Sequence, residues 1–239
     1  MTEATEWQPV WKQVQAAVSP VHRFGADALL LADFSTPRPG ESVVELGTGC
    51  GAVALRLCAA GKPASVLGID IAPDAIALCR RSADAFPGEP RPVFAVADWA
   101  YPRSIAPAGS ARLVVCNPPY FPPDSGKTST NEASRTARHE APNTLPAICA
   151  AARWLLTNGG RFCLCHRPER LNAVLAAVTA AGLEPKRLRP VHNRPGESPW
   201  LFLLEARKGG RPGLQWEPPV CLCTETGDRS TSWHKLYNE

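Results

Sequence analysis

The stretch VVCNPPYF, residues 114–121, carries residues well suited to binding a nitrogen group. Its two valines are typical of a buried strand, but Pro118 and Pro119 lack backbone donors and cannot continue sheet pairing. A strand that ends in this way predicts a stiff turn at the surface, which presents the Asn117 amide and the Tyr120 ring. An amide oxygen beside a rigid backbone carbonyl supplies two acceptors for the hydrogens of an amino or amide nitrogen.

A glycine-rich turn follows another predicted strand, earlier in the chain. ELGTGCG, residues 45–51, leaves the β-branched strand SVVELG and enters a helix. Gly47, Gly49 and Gly51 follow Glu45 with the spacing G-x-G-x-G. This spacing differs from G-x-G-x-x-G, which brings a pyrophosphate to the start of a helix in dinucleotide enzymes. The spacing of this turn therefore gives only weak support to a nicotinamide oxidoreductase.

Carboxylates also stand at the ends of the next two predicted strands. Asp70 ends SVLGID, and Asp98 ends PVFAVAD. Open α/β sheets bind ligands beyond the carboxyl ends of their strands, so these side chains and the glycine turn should face one site. Asp70 is placed to accept both ribose hydroxyls of an adenosine, and Asp98 to accept the adenine amino group.

The elements that position these residues alternate along the chain. The hydrophobic pattern predicts strands over residues 42–47, 65–70, 92–98, 111–117, 160–166, 183–191 and 198–207. It predicts helices over residues 26–34, 52–60, 72–86, 145–155 and 168–182. This alternation predicts an α/β fold with a mostly parallel sheet of seven strands and helices on both faces. The loop HNRPGE between the last two strands is too short for a parallel crossover, so these strands should form an antiparallel hairpin.

Composition sets further bounds. At 239 residues, the chain is long enough for one large α/β domain with a buried core. The net charge of +4 permits a nucleic-acid partner without requiring one. The nine cysteines include no C-x-x-C pair, and no apolar run approaches the roughly 20 residues that span a bilayer. We expect reduced core thiols, no metal site, no membrane segment and a cytoplasmic location.

Taken in order, the glycine turn, the two aspartates, N-P-P-Y and the final hairpin resemble the class I S-adenosylmethionine-dependent methyltransferases. The resemblance covers the chain from about residue 20 and implies a Rossmann-like fold with S-adenosylmethionine as cofactor. It implies that the glycines approach the methionine portion, Asp70 holds the ribose, and Asp98 bonds the adenine between Ile71 and Trp99. The implied cofactor set is Phe24, Gly25, Asp27, Glu45, Gly47, Thr48, Gly49, Gly51, Asp70, Ile71, Asp98, Trp99 and Asn117.

The N-P-P-Y motif is shared by enzymes that methylate adenine N6, cytosine N4, guanine N2 or a glutamine amide. By this resemblance Asn117, Pro118, Pro119 and Tyr120 form the catalytic set. The motif favours an amino or amide nitrogen as acceptor and leaves open which one.

Four further segments resemble a bacterial family of tRNA adenine-N6 methyltransferases that modify the adenine next to the anticodon of valine tRNA. They are FGADALLLA, TARHE after the NPPYF motif, RPGE with the strand leading to EARKGG, and the tail with its Thr-Gly-Asp. The resemblance implies tRNA as partner. The RNA-contact residues that we expect are Tyr120, Phe121, Lys127, Arg135, Arg138, His139 and Arg194. Two basic clusters, PKRLRPVHNR (185–194) and EARKGGR (205–211), are further candidates.

This interpretation divides the chain into three parts. Residues 1–41 would form an N-terminal extension with a lid-side helix, residues 42–210 the methyltransferase core, and residues 211–239 a tail packed on the core. We expect a monomer. The alternatives are a guanine-N2 rRNA methyltransferase, a release-factor glutamine-N5 methyltransferase and a catalytically silent binding module. The glutamine enzymes carry an N-terminal helical domain, for which 41 residues are too few.

Overall fold

A central β-sheet between two layers of helices organises residues 6–119 and 144–237, the ranges that this computed structural model describes. The strands are β1 Glu6–Trp11, β2 Val14–Val18, β3 Ser42–Leu46, β4 Ser65–Asp70, β5 Val93–Val96, β6 Ala111–Cys116, β7 Leu156–His166, β8 Leu183–His192, β9 Leu201–Lys208, β10 Gln215–Trp216 and β11 Val220–Cys221. The helices are α1 Ala26–Ser35, α2 Ala52–Gly61, α3 Pro73–Asp84, α4 Pro102–Ile105, α5 Thr144–Leu155, α6 Leu171–Ala180 and α7 Thr231–Tyr237, with a 3₁₀ turn at Pro168–Arg170.

The strand order of the sheet is β5-β4-β3-β6-β7-β9-β8, and β10 and β11 both pair with β8. Strands β3 to β7 are parallel, whereas β9 is antiparallel to both β7 and β8. The predicted Rossmann-like sheet with an antiparallel C-terminal hairpin is therefore confirmed. The described sheet has nine strands rather than the seven expected. The two additional strands are two residues long, too short to show a period in the sequence.

Alternate residues of the central strands pack into opposite layers. Leu113 and Val115 of β6 belong to the core beneath α1, α2 and α3, and Val114 and Cys116 belong to the core beneath α5 and α6. Burial on both faces explains why these strands are almost continuously apolar. None of the described helices has the length and hydropathy needed to cross a membrane.

The side chain of Arg56 on α2 contacts both ends of the described chain. Residues 6–18 have no clean hydrophobic period in the sequence, yet they form an antiparallel hairpin that contacts α2 and α3. The buried side chain of Arg56 on α2 reaches this hairpin and the last helix together. Its Nη1 donates to the carbonyl oxygens of Val10 at 2.9 Å and Leu236 at 2.8 Å, and its guanidinium lies 4.3 Å from the Trp11 ring centroid.

Candidate active site

The glycine turn lies between the strands that end in Asp70 and Asn117. Leu46, at the end of β3, is in register with Ile69 of β4 on one side and with Cys116 of β6 on the other. Neighbouring strand backbones lie about 4.8 Å apart. The backbone after Leu46 is therefore one strand spacing from those of Asp70 and Asn117, whose Cα atoms we expect about 10 Å from each other. The sheet thus brings the predicted nucleoside site and the predicted catalytic motif to adjacent positions.

Asp70 holds the glycine turn in place. Its Oδ2 accepts a hydrogen bond from the backbone N–H of Gly49 at 2.9 Å, and its Oδ1 accepts one from Ala72 at 3.0 Å. The carboxylate is half-buried. Each oxygen retains a second lone pair, so Asp70 has the capacity to accept two ribose hydroxyls as well.

The glycine turn has a left-handed backbone and an open surface. Gly47 has φ 71° and Gly49 has φ 54°, backbone angles that residues with a Cβ rarely adopt. A Cβ at Gly47 would lie 3.0 Å from Cζ3 of Trp99, so that ring covers the turn. At Gly49 no heavy atom of the described residues lies within 4 Å of an added Cβ, so the backbone is open to a ligand there.

Glu45 lies beneath the turn, not on its surface. The side chain is 1% exposed, and its Oε2 accepts hydrogen bonds from the Thr48 hydroxyl at 2.6 Å and the Ala54 N–H at 3.0 Å. Burial raises the pKa of Glu45 to about 8, and the nearby Asp70 contributes to the increase while the two hydrogen bonds oppose it. In this arrangement Glu45 shapes the turn from below.

The remaining cofactor candidates surround the same end of the sheet. Asp98 follows β5 and accepts a hydrogen bond from the Ala100 N–H at 2.8 Å. Ile71 is 64% exposed directly after Asp70, where it can cover one face of an adenine. Gly25 is the N-cap of α1, and Phe24 packs on the core beside it.

Two neighbours hold the Asn117 amide. Asn117 Nδ2 donates to Asp27 Oδ2 at 3.0 Å, and the Cys165 thiol donates to Asn117 Oδ1 at 3.1 Å. Asp27 comes from the first turn of α1 and Cys165 from the end of β7. From the sequence, Cys165 was expected only as one of the reduced core thiols. The order of the strands, with β7 beside β6, is the information that would have linked the two residues.

These residues fit S-adenosylmethionine. The open backbone at Gly49 suits a close approach by the amino-acid portion, and Asp70, Ile71 and Asp98 form a row that suits an adenosine. The adjacent Asn117 would then lie on the methyl side. Among the described residues, no group of His, Cys, Asp or Glu side chains is arranged to hold a metal ion.

Most of the expected RNA-contact residues lie outside the described ranges. They are Tyr120, Phe121, Lys127, Arg135, Arg138 and His139. Arg194 is described and is exposed in the loop between β8 and β9, where its guanidinium lies beside Gly227 of the tail.

Much of the two basic clusters is engaged within the protein. Arg187 forms ion pairs with the buried Glu205, at 2.7 Å, and with Glu217, which also pairs with Arg189. Arg207 forms an ion pair with Glu205 at 3.1 Å. Lys208 donates to the carbonyl oxygens of residues 153 and 156. These contacts connect the C-terminal strands, so we do not include these four cations in the RNA surface.

Comparison with known proteins agrees with this geometry. A family model described as a methyltransferase domain matches residues 43–140. A tRNA1(Val) (adenine(37)-N6)-methyltransferase of Porphyromonas gingivalis is 31% identical over 191 residues, which are 77% of this chain and 74% of the relative. A release factor glutamine methyltransferase of Rhodospirillum rubrum is 41% identical over 112 residues, but these are 40% of this chain and 33% of that relative.

The fold also has a close counterpart among solved structures. The crystal structure of a predicted O-methyltransferase from Agrobacterium tumefaciens superposes with a TM-score of 0.72 at 22% identity, covering 89% of this chain and 95% of that one. The predicted fold, family and cofactor are thus confirmed. The chain is an S-adenosylmethionine-dependent methyltransferase of class I, and it belongs to the family of the tRNA1(Val) (adenine(37)-N6)-methyltransferases.

Proposed function

We propose that this chain transfers a methyl group from S-adenosylmethionine to N6 of an adenine in the anticodon loop of tRNA, adenine 37 of valine tRNA by analogy with its relatives. The observation that carries the proposal is the position of Asn117 and Pro118. They follow β6, the strand next to the glycine turn, with Cys116 in register with Leu46. The match along most of the Porphyromonas gingivalis relative extends the proposal from any amine to an adenine in tRNA.

The task of the protein is to prepare a poor nucleophile. S-adenosylmethionine, when bound, would supply an electrophilic methyl group on a positively charged sulfur. The electron pair of the broken C–S bond would remain on sulfur as the thioether S-adenosylhomocysteine, and the methylated nitrogen would release one proton to water after transfer. The lone pair of an exocyclic amine is delocalised into its ring, so it attacks poorly. When Asn117 Oδ1 and the Pro118 carbonyl each accept one N–H, the nitrogen is drawn toward a tetrahedral shape and its lone pair becomes available. These preorganised acceptors favour the transition state over the ground state.

The neighbouring residues orient the base. Pro118 is buried and Pro119 is half-buried, and their fixed φ angles keep the carbonyl rigid. We assign to Tyr120 the stacking of the target base. An adenine in an anticodon loop is unpaired, so its movement into the site costs less than flipping from a duplex. Arg194 and the cations of residues 127–139 would contact the phosphates.

A release-factor glutamine is the second candidate acceptor, because a glutamine amide would use the same two hydrogen-bond acceptors. The 41% identity to the Rhodospirillum rubrum enzyme over 112 residues favours a glutamine acceptor. That match covers only 33% of the length of the release-factor enzyme, whereas the match to the tRNA enzyme covers 74% of the length of that relative. We therefore rank the tRNA adenine first.

The direct test is methyl transfer by the purified chain to three acceptors. These are a valine tRNA transcript, the same transcript with guanine at position 37, and a release factor. We expect N6-methyladenosine, measured by mass spectrometry of nucleosides, in the first transcript alone. Methylation of the release factor with both transcripts unmodified would replace the proposal with the second candidate.

A further inference from the structure

We infer that Cys165 is a positioning residue that, with Asp27, fixes the orientation of the Asn117 amide for the methyl transfer proposed above. The inference rests on that proposed function and adds two side chains to it. Both contact Asn117 from outside the N-P-P-Y motif, at sequence separations of 90 and 48 residues.

The two contacts distinguish the two ends of the amide. A carboxylate oxygen accepts, so the amide end facing Asp27 Oδ2 must be the NH₂ group. The opposite end is therefore the carbonyl oxygen, and it accepts a hydrogen bond from the Cys165 thiol at 3.1 Å. Rotation of the amide by half a turn would place its oxygen against the Asp27 carboxylate oxygen, and it would replace the hydrogen bond from the thiol with a weaker one to the sulfur. The chemistry of the neighbours therefore selects one orientation of Asn117.

This orientation is the one that the reaction needs. Asn117 must present an oxygen, not an NH₂ group, to the N–H of the target amine. An amide oxygen has two lone pairs, so acceptance of the Cys165 thiol is compatible with acceptance of the target N–H. A wrongly rotated amide would point a donor at the donor hydrogens of the substrate.

Burial protects the hydrogen bond from the Cys165 thiol to Asn117 from competition by water. Cys165 is 0% exposed and belongs to the core layer beneath α1, so water does not compete for its hydrogen. Asp27 is fixed at the start of α1, which packs on α2 and β7. The amide is therefore held between a helix and a strand that both belong to the rigid core.

A matched control lies on the same strand. Cys163 is two residues earlier, so it points to the same face of β7, and it is equally buried in the same core layer. Truncation of Cys163 removes the same atoms from the same layer. Loss of stability common to Cys163→Ala and Cys165→Ala therefore measures the cavity and not the contact with Asn117.

The test compares Cys165→Ala, Cys165→Ser and Cys163→Ala with the wild-type chain. We expect Cys165→Ala to lower kcat on valine tRNA by about tenfold, the effect of one lost hydrogen bond. KM for tRNA and the affinity for S-adenosylhomocysteine should remain within twofold. Cys165→Ser keeps a donor and should retain at least half of the wild-type kcat, and Cys163→Ala should match the wild type. If Cys165→Ala does not fold, Cys165→Val and Cys165→Thr give the same comparison at nearly constant volume.

A second readout does not depend on activity. The ¹⁵N–¹H signals of the Asn117 side-chain amide, identified by their loss in Asn117→Ala, should shift in Cys165→Ala and not in Cys163→Ala. Unshifted signals, an unchanged kcat, or equal losses of kcat in the Ala and Ser variants would each overturn the inference. A wild-type chain that leaves tRNA unmethylated would instead refute the proposed function, and the amide signals would still decide the contact.

Discussion

The Asp70 carboxylate accepts a hydrogen bond of 2.9 Å from the Gly49 N–H, which ties the end of β4 to the turn after β3. One side chain therefore both shapes the cofactor turn and faces the place where a ribose would bind. We predict that Asp70→Ala lowers the affinity for S-adenosylhomocysteine by at least about tenfold, since a contact worth about 1.4 kcal/mol is lost. Isothermal titration calorimetry measures this, with Asp84→Ala, on the exposed side of α3, as control. Equal affinities for the two variants would mean that Asp70 does not bind the cofactor.

The buried carboxyl of Glu45 should make stability depend on pH. Its pKa is about 8 in the folded chain, compared with 4.5 when exposed. Between these values the folded state keeps a proton that the unfolded state has lost, so this group lowers the free energy of unfolding as pH rises. The change stops above about pH 8, where the folded state also loses the proton.

Glu45→Gln removes that titration while keeping an acceptor for Thr48 and Ala54. We predict that its stability advantage over the wild type increases from pH 5 to pH 8 by up to a few kcal/mol, at about 1.4 kcal/mol per pKa unit. Urea unfolding at each pH measures the difference, with Glu169→Gln, an exposed carboxyl, as control. A difference that stays constant with pH would show that Glu45 is ionised in the folded chain.

Arg56 should stabilise both ends of the chain. Arg56→Met removes its hydrogen bonds to the Val10 and Leu236 carbonyl oxygens, each a bond to a charged donor, and we expect a loss of about 3 kcal/mol or more. Arg80→Met is the control, because Arg80 is exposed on α3. Equal urea midpoints for the two variants would contradict a structural role for the buried guanidinium.

RNA affinity should depend on Arg138 and on Arg194, the second of which follows β8 at the active-site end of the sheet. We predict that Arg138→Ala and Arg194→Ala each weaken tRNA binding and reduce the slope of log Kd against log salt, because each removes a phosphate contact. Arg112, at the opposite end of β6, supplies the control variant Arg112→Ala. An unchanged salt slope in both test variants would remove these residues from the RNA surface.

The sequence was most informative where one local pattern was sufficient. The apolar runs that became β3, β4 and β6, together with the turn residues after them, gave both the sheet and the positions of Asp70 and Asn117. Contacts between segments that are distant in the sequence could not be predicted from local patterns. The local sequence PKRLR predicts that Arg187 is a surface cation. Its ion pair with the buried Glu205 depends on the pairing of β8 with β9, which the local sequence does not reveal. The local sequence likewise predicts only that Cys165 is a core residue. Its contact with Asn117 follows from the pairing of β7 with β6.

The central claim is that Asn117, although it belongs to the implied cofactor set, contributes mainly by accepting a hydrogen bond from the target nitrogen. The most direct measurement determines kcat for methylation of valine tRNA and the affinity for S-adenosylhomocysteine in Asn117→Ala. We predict that kcat falls by about a hundredfold to a thousandfold, the effect of removing one oriented hydrogen-bonding group from an active site, while the affinity for S-adenosylhomocysteine changes by only a few fold. Turnover close to that of the wild type would contradict the claim.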